Sequence, residues 1–474
     1  MTNKNIQPAI KSYFFQKGYK DLANTIMDSW KMNLKSGSGY WRNAARFWND
    51  GGFSILKAIA MAFAALSVIV FGTIWFVFLS IFHVFILVLF FSIIYISFSF
   101  LWIAERTYMI GHGIFVVCPY CHEKFDLPIY RCPNCNVDHS HLIPSSYGIW
   151  KRTCLCGHKL PTTFYNGRAK LEAKCPNPNC SRTIETTETK PICIPIIGGP
   201  SVGKTCYLFA ATNQLIEKIA PKESWKINFL NDQNEMVYKR VLQNFKQSIV
   251  PAKTVEFNPN AFNFFIGSDK WNPEKTMYFY DSAGEVFQDS DNLISHKFYG
   301  FLNGFIFIID PFSIPQLLVE YEDNLKLYST DIKPSDFMIE DCFDTMIINL
   351  EKNHNIKKNQ QVNKPCAIIL NKVDAFDLED RIGYNAAKKL MMKDPSIKSI
   401  EQASHMICEE LFNEWELSNF LRNLKQKFKN YRFFTCSALG DISKKTPKKQ
   451  FAPYRVTEPL MWLLSQVDKD FRIH

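Results

Sequence analysis

One stretch of the sequence has the residue types and the spacing needed to hold phosphate groups, in the pattern G-x-x-x-x-G-K-T. Its members are Gly198, Gly199, Pro200, Ser201, Val202, Gly203, Lys204 and Thr205. The apolar run Ile192 to Ile197 precedes it and the helix-like run Cys206 to Ile219 follows it. In the order strand, loop, helix, the loop amides point at the β- and γ-phosphates of a nucleotide, Lys204 adds a positive charge, and the Thr205 hydroxyl ligates Mg²⁺. We therefore predict a phosphate site, with a glycine turn as the alternative.

A second motif, Asp281-Ser-Ala-Gly284, follows the apolar run Met277 to Tyr280. At the end of a strand, Asp281 is placed to hold Mg²⁺ through water, and the backbone amide of Gly284 is placed to contact the γ-phosphate. Asp-x-x-Gly is also a common turn, so this motif carries weight only together with the others.

A third motif, Asn371-Lys372-Val-Asp374, indicates which base the nucleotide carries. The Asp374 carboxylate can accept two hydrogen bonds from N1 and N2 of guanine, which adenine does not offer in that arrangement. The final motif follows the last strand-like run, where a backbone amide can meet O6 of guanine. It consists of Ser437, Ala438 and Leu439. A surface turn is the alternative for the motif at Asn371, and the final motif carries little weight by itself.

From residue 191 onward, apolar strand-like runs alternate with helix-like runs. This alternation predicts an α/β fold with a mostly parallel six-stranded sheet and helices on both faces. The strands are expected at Ile192 to Ile197, Phe262 to Ile266, Met277 to Tyr280, Phe305 to Ile309, Ala367 to Leu370 and Phe433 to Thr435. The helices are expected at Cys206 to Ile219, Glu235 to Gln247, Ser335 to Asn353, Ile407 to Phe428 and Glu458 to Lys469.

Taken in this order, the four motifs resemble those of the Ras-like and translation-factor-like proteins, the TRAFAC class of P-loop GTPases, across residues 191–474. The resemblance implies GTP or GDP and Mg²⁺ as cofactors, and hydrolysis of GTP with Lys204 among the catalytic residues. It also implies a switch threonine, which we assign to Thr254. Many Ras-like proteins have a glutamine that orients the attacking water where this sequence has Glu285. Because a carboxylate is repelled by the γ-phosphate, we expect slow hydrolysis that a partner accelerates.

A stretch of 47 residues, Ala58 to Ala104, contains no Asp, Glu, Lys or Arg. As one helix it would be about 70 Å long, more than twice the hydrocarbon layer of roughly 30 Å, so two crossings fit better than one. We expect a transmembrane helical hairpin of Ser54 to Leu79 and His83 to Ala104, with a short connection at Ser80 to Phe82. A buried core helix is the alternative.

Positive charge flanks this stretch on both sides. Residues 1–52 carry 8 Lys and Arg against 3 Asp and Glu, residues 105–190 carry 11 against 7, and residues 191–474 carry 35 of each. Because basic flanks stay inside, we expect both termini and residues 191–474 in the cytoplasm, with the hairpin in the inner membrane. Anionic membrane lipid is the expected partner of the basic flanks, and nucleic acid is the competing one.

Eight of the 14 cysteines lie between residues 118 and 180. A nucleotide-binding domain on the same side of the membrane implies a reducing compartment, which favours metal ligation over disulfides. The first predicted Zn²⁺ site consists of two Cys-x-x-Cys pairs, Cys118, Cys121, Cys132 and Cys135. The second has looser spacing and consists of Cys154, Cys156, Cys175 and Cys180, with His158 as a substitute ligand. Ordinary buried thiols are the alternative.

The cysteine motifs followed by the phosphate loop are similar to the zinc-ribbon GTPases of bacteria. That group includes double-GTPases associated with conflict or defence gene clusters. Only one GTPase domain is visible in this sequence, so a second GTPase would be a separate chain. The four expected parts are a basic amphipathic segment (1–52), a transmembrane hairpin (53–105), tandem zinc ribbons (106–190) and a GTPase domain (191–474).

Our first interpretation is a membrane-anchored GTP-binding switch that engages a protein effector or a GTPase-activating partner. The alternative is a zinc-ribbon module that binds nucleic acid or protein and is gated by nucleotide. A transporter is disfavoured, because two spans could form one only by oligomerising and the run Ala58 to Ala104 offers no Asp, Glu, Lys or Arg for an ion path.

Overall fold

The computed structural model describes residues 7–15, 17–184, 188–230, 232–247, 249, 261–271, 273–281, 301–327, 333–354, 360–440 and 451–472. Thr254, Gly284 and Glu285, which the sequence assigns to catalysis, lie outside these ranges, as does the side chain of Asp281. The chain forms two compact units. The first comprises Met1–Gly111 and Ile129–Glu172, and the second His112–Pro128 and Ala173–His474.

Two long helices dominate the first unit, α1 (Lys17–Asn49) and α2 (Ser54–Gly111). α2 is long and apolar enough to cross a membrane, with a mean hydropathy of 2.8 over its most apolar 18 residues, none of them buried. The predicted reversal at Ser80 to Phe82 is wrong, because α2 is one continuous helix of 58 residues. Ser80 stays helical, and its hydroxyl donates to the Phe76 carbonyl at 2.7 Å.

The chain reverses instead between α1 and α2, at Gly51 and Gly52. Both have left-handed backbones, with φ of 65° and 60°, which glycine adopts without strain. The two helices then pack through small and polar residues. A Cβ at Gly72 would lie 2.2 Å from the Asn33 Oδ1, and the Trp30 indole donates to the Ser80 hydroxyl at 3.1 Å. α1 therefore lies directly against the apolar run of α2.

A buried ion pair fixes the last turns of α2 within the first unit. The Arg168 guanidinium donates to the Glu105 carboxylate at 2.9 Å, and the two side chains are only 1% and 5% exposed. The same carboxylate accepts the Phe164 amide, and Arg168 also donates to the carbonyls of Leu142 and Thr162. The strands of this unit are β1 (Ala9–Ile10), β4 (Ile129–Arg131), β5 (Asp138–His139), β6 (Lys151–Cys154) and β7 (Lys159–Pro161). Its 3-10 turns are Tyr13–Phe15, Phe164–Asn166 and Arg168–Lys170.

A seven-stranded sheet forms the centre of the second unit, within the described ranges. In spatial order its strands are β11 (Lys226–Phe229), β12 (Ala261–Gly267), β13 (Lys275–Asp281), β10 (Lys190–Ile197), β14 (Phe305–Ile309), β15 (Cys366–Leu370) and β16 (Tyr431–Thr435). The five strands from β13 to β16 are parallel, whereas β11 and β12 run antiparallel to their neighbours. The predicted six-stranded, mostly parallel sheet is thus corrected to a mixed sheet of seven strands.

Helices cover both faces of this sheet. Along β14, Phe305, Phe307 and Ile309 enter one buried core, and Ile306 and Ile308 enter the other. The longer helices are α3 (Lys204–Gln214), α5 (Asp232–Lys246), α8 (Ile339–His354), α10 (Tyr384–Lys393), α11 (Ile400–Glu414), α12 (Ser418–Lys427) and α13 (Thr457–Val467). The shorter ones are α4 (Ala220–Glu223), α6 (Pro315–Glu320), α7 (Glu322–Leu327) and α9 (Leu378–Arg381). A π-helical turn, Leu215–Ile219, joins α3 to α4, and 3-10 turns occur at Pro311–Ser313 and Lys469–Phe471.

The single helix predicted at Ile407 to Phe428 is wrong, because α11 and α12 are separate helices. Glu416 between them has a left-handed backbone with φ of 60°, which ends the first helix. Four short strands of the second unit precede the sheet in the chain. They are β2 (Val116–Val117), β3 (Lys124–Phe125), β8 (Ala173–Lys174) and β9 (Thr183–Ile184), and they pair as two hairpins.

We predict that Arg168→Met lowers the free energy of unfolding by about 3–5 kcal/mol, because it leaves the Glu105 carboxylate buried without a cation. Urea unfolding of the purified full chain in detergent measures this change. The double variant Glu105→Leu with Arg168→Met is the control, since it buries no charge and should recover most of the loss. An unfolding midpoint of Arg168→Met equal to that of the wild type would contradict the prediction.

Candidate nucleotide and metal sites

The phosphate loop connects β10 to α3, and two of its glycines are required by close neighbours. A Cβ at Gly198 would lie 2.5 Å from the Ile308 carbonyl oxygen, and one at Gly203 would lie 2.5 Å from the Asn371 Nδ2. Both residues also have left-handed backbones, with φ of 158° and 93°. Larger residues at these positions would push β14 or Asn371 away from the loop.

The Lys204 amine lies over this loop. Its Nζ donates to the carbonyl oxygens of Gly198 at 2.9 Å and Gly199 at 2.8 Å, and the residue is 8% exposed. Thr205 follows in the first turn of α3 and is half-buried. A positive charge and a hydroxyl therefore stand at a helix N-terminus, the arrangement that favours an anion.

Asn371 ties the phosphate loop to the loop after β16. Its Nδ2 donates to the Val202 carbonyl at 2.9 Å, and its Oδ1 accepts the Ala438 amide at 3.0 Å. The side chain is almost fully buried, at 2% exposure. One amide thus joins the predicted phosphate-binding and base-binding segments.

The Lys372 amine adds a second link to the phosphate loop. It donates to the Ser201 carbonyl at 3.0 Å and forms an ion pair with the Asp310 carboxylate at 2.6 Å. Asp310 is fully buried at the end of β14, where it also accepts the backbone amides of Phe312 and Ser335. The sequence analysis missed Asp310, although it follows an apolar strand just as Asp281 and Asn371 do.

The remaining predicted base-binding residues lie in the same two loops. The Val373 amide donates to the Cys436 carbonyl at 3.3 Å, which places Asp374 next to the segment of Ser437 to Leu439. Asp374 is half-buried, and the Ser437 hydroxyl accepts the Gly440 amide at 2.8 Å. The backbone of Asp281 lies beside Ile196 in the parallel pairing of β13 with β10. In the described structure, the predicted nucleotide residues therefore lie at the carboxyl ends of the parallel strands.

The eight predicted cysteine ligands form two clusters, and in each cluster all four Sγ atoms lie within 4.8 Å of one another. The predicted grouping is wrong. The first cluster is Cys118, Cys121, Cys175 and Cys180, and the second is Cys132, Cys135, Cys154 and Cys156. His158 is exposed and belongs to neither cluster. In chain order, the first and fourth cysteine pairs form one cluster, and the second and third pairs form the other.

The spacing of the thiols fits a tetrahedral ion. The Sγ atoms approach to 3.7 and 3.6 Å in the first cluster and to 3.7 and 3.5 Å in the second. Four thiolates at about 2.3 Å from Zn²⁺ would lie about 3.8 Å apart, whereas a disulfide needs about 2.05 Å. Four soft sulfur donors fit Zn²⁺, and such a closed shell is structural rather than catalytic.

Hydrogen bonds, first from the Asn134 side chain and then from the His158 backbone, lower the pKa of the Cys156 thiol to about 6, whereas burial raises the pKa of the Cys154 thiol to about 12. The His139 Nε2 lies 3.3 Å from the Cys154 Sγ, and this fully buried ring was missed by the sequence analysis. A ring N–H donated to a ligand sulfur orients that ligand.

No known family model matches the sequence, and no curated protein matches it. Among solved structures, the chain is similar to the Arl6 (BBS3) small GTPase of Trypanosoma brucei with bound GppNp, at 12% identity and a TM-score of 0.24, over 59% of this chain and 99% of that one. It is similar to the GTPase-like domain of Saccharomyces cerevisiae Ski7 bound to GTP, at 17% identity and a TM-score of 0.27, over 60% and 51% of the two chains. It is also similar to Methanosarcina barkeri Roco2 bound to GDP, at 13% identity and a TM-score of 0.21, over 52% and 43%. Likenesses at these scores identify no function. This chain spans about half the length of the Ski7 and Roco2 chains that it matches.

The regrouped cysteines predict zinc contents that differ from those of the grouping by sequence. We expect two Zn²⁺ per wild-type chain, one for Cys118→Ser with Cys175→Ser, and none for Cys118→Ser with Cys132→Ser, because the second pair damages both clusters. Atomic absorption on the purified proteins measures this. Cys342→Ser is the control, since that buried thiol belongs to neither cluster. The reverse order of zinc contents would restore the grouping by sequence.

We predict that Asp310→Asn weakens binding at the predicted nucleotide site about tenfold, because the Lys372 amine loses the charged partner that holds it over Ser201. Asparagine keeps an acceptor for the amides of Phe312 and Ser335, so the local backbone should persist. Titration with a fluorescent GDP measures the affinity, and Asp341→Asn, at an exposed carboxylate on α8, is the control. Equal affinities of Asp310→Asn and the wild type would remove this role.

Proposed function

We propose that the chain is a GTP-binding switch protein that hydrolyses GTP slowly. The observation that carries the proposal is the Asn371 amide, which joins Val202 of the phosphate loop to Ala438 of the base-binding loop. Phosphate-binding and guanine-reading groups are useful together only if one ligand reaches both. A nucleotide with a guanine at one end and phosphates at the other has that shape.

The proposal assigns residues of the sequence motifs to each part of the nucleotide. Amides of the phosphate loop and the Lys204 amine neutralise the phosphates, and the Asp374 carboxylate accepts the guanine N1 and N2 donors. The Thr205 hydroxyl and Asp281 are the residues that would hold Mg²⁺, which balances phosphate charge when it is bound. Slow turnover is expected because the sequence places Glu285 where a neutral side chain would orient the attacking water.

The proposal also includes the membrane anchor, the metal ions and the partners of the switch. The apolar surface of α2 supports anchoring at a membrane, and the two cysteine clusters support two structural Zn²⁺ ions. A protein effector or a GTPase-activating partner would read the nucleotide state. The similarity of the cysteine motifs and phosphate loop to bacterial zinc-ribbon GTPases supports a role in a defence system. We retain nucleic-acid binding as the alternative, and a salt-dependent shift with DNA or RNA would favour it.

We expect Asp374→Asn to reduce the preference for guanine over adenine nucleotides about 100-fold or more, because the proposed carboxylate contact makes two charge-assisted hydrogen bonds to the base. The variant should gain affinity for xanthosine nucleotides, whose O2 accepts the new amide donor. Competition of GTP, GDP, ATP and XDP against a fluorescent nucleotide measures both changes.

The matched control for this experiment is Asp380→Asn, which removes an exposed carboxylate from the same region of the chain. It should keep the wild-type order of affinities. Wild-type protein that binds ATP as well as GTP, or an Asp374→Asn variant with unchanged preference, would refute the proposed base contact. Hydrolysis at about ten per second or faster by the purified chain alone would refute the slow switch.

A further inference from the structure

The first cysteine cluster is part of the unit that contains the phosphate loop. Cys118 and Cys121 lie in the hairpin of β2 and β3, and Cys175 and Cys180 lie in the hairpin of β8 and β9. All four belong to the second unit, together with the central sheet. The second cluster belongs to the first unit, which contains none of the predicted nucleotide-binding residues.

Side chains next to the first cluster pack on the strand that ends at Asp281. The His122 ring, directly after Cys121, meets the edge of the Tyr280 ring with centroids 5.1 Å apart at 75°. His122 is 1% exposed and Tyr280 is fully buried. The residue beside a metal ligand therefore contacts the residue just before the predicted Mg²⁺ carboxylate.

A second contact runs from the cluster to the phosphate loop. Val117, directly before Cys118, is fully buried in the same core as Ile197, which directly precedes Gly198. Two residues before Val117, the Phe115 ring packs against Phe301 with centroids 6.4 Å apart. The segment that carries two of the four thiols is thus embedded in the core under the nucleotide site.

The two hairpins share a small core, and polar side chains also join them, among them Asn177, which donates to the Glu123 carboxylate. Their four strands have two residues each, and the buried part of their own core is Val116, Cys118, Cys175 and Ile184. Two of these four residues are metal ligands. In so small a core, metal binding supplies much of the folding free energy. Loss of the metal would therefore loosen the packing of His122 and Val117 on the nucleotide-binding core.

We propose that metal binding at the first cluster and nucleotide binding are thermodynamically coupled, so that the chain is a GTP switch that responds to a thiolate-binding metal ion such as Zn²⁺. This inference rests on the proposed function. Because such coupling is reciprocal, metal at the first cluster tightens nucleotide binding, and nucleotide tightens metal binding by the same factor. The second cluster belongs to the other unit and therefore serves as the comparison.

The test compares two double variants of the full chain in detergent. Each should lose one Zn²⁺: Cys118→Ser with Cys175→Ser empties the first cluster, and Cys132→Ser with Cys154→Ser empties the second. We expect the first variant to weaken binding of a fluorescent GDP at least about fivefold more than the second does, the lower bound of common coupling energies. Equal weakening by both variants, or none by either, would overturn the inference.

A variant that keeps all eight thiols guards against simple unfolding of the first cluster. His122→Ala should retain two Zn²⁺, yet its affinity for GDP should change less than that of the wild type when a chelator removes the metal. In the wild type, saturating GDP should slow the release of one of the two Zn²⁺ ions to a chelator, and in His122→Ala it should slow that release less. Undiminished coupling in His122→Ala would overturn the route through the His122 ring.

The outcomes also separate this inference from the proposed function. If the zinc-loaded wild type shows no guanine-selective binding, the proposed function fails and the coupling fails with it. If it binds guanine nucleotides selectively and with an affinity indifferent to metal at the first cluster, only the inference is overturned.

Discussion

The buried Asn371 amide is the contact on which the proposed nucleotide site depends. It satisfies the Val202 carbonyl on one side and the Ala438 amide on the other, so it fixes the distance between two loops from different strand ends. A buried amide that lost one partner would leave a polar group unpaired, at a cost of about 1–3 kcal/mol. The Lys372 ion pair with Asp310 reinforces the same geometry from the next strand. These side-chain contacts hold the two loops together, and a preformed arrangement lowers the ordering cost of binding.

The strands of the nucleotide unit could be predicted because each is a short apolar run, and all six predicted runs lie within observed strands. β11 was missed because Lys226-Ile-Asn-Phe229 alternates polar and apolar residues over four positions only, and its place at the sheet edge is set by pairing with β12. Asp310 was missed for a related reason. Its partner, Lys372, is 62 residues away, and no local pattern indicates a contact at that separation.

The sequence predicted the four cysteine pairs, but not which pairs come together in a cluster. Each cysteine pair lies at the turn of its own short hairpin, so its position is set by local sequence. Which two pairs share a cluster depends on how the hairpins pack. Adjacent Cys-x-x-Cys pairs suggested one site, yet the two hairpins that flank the inner pair close on each other. The nested pairing puts one cysteine cluster in each compact unit, and this division could not be inferred from spacing.

The hydropathy of the sequence predicted two crossings because it considers the apolar run in isolation. In the structure, that run packs against α1, a helix that carries charged residues. α1 lies along α2, and its outer face exposes Lys31, Lys35 and Arg42. Each such charge costs about 2.5–3.5 kcal/mol at the centre of a bilayer. If α2 enters a membrane, this face of α1 therefore needs water or protein beside it, not lipid. The charges of α1, more than the length of α2, set the environment that the helix pair can occupy.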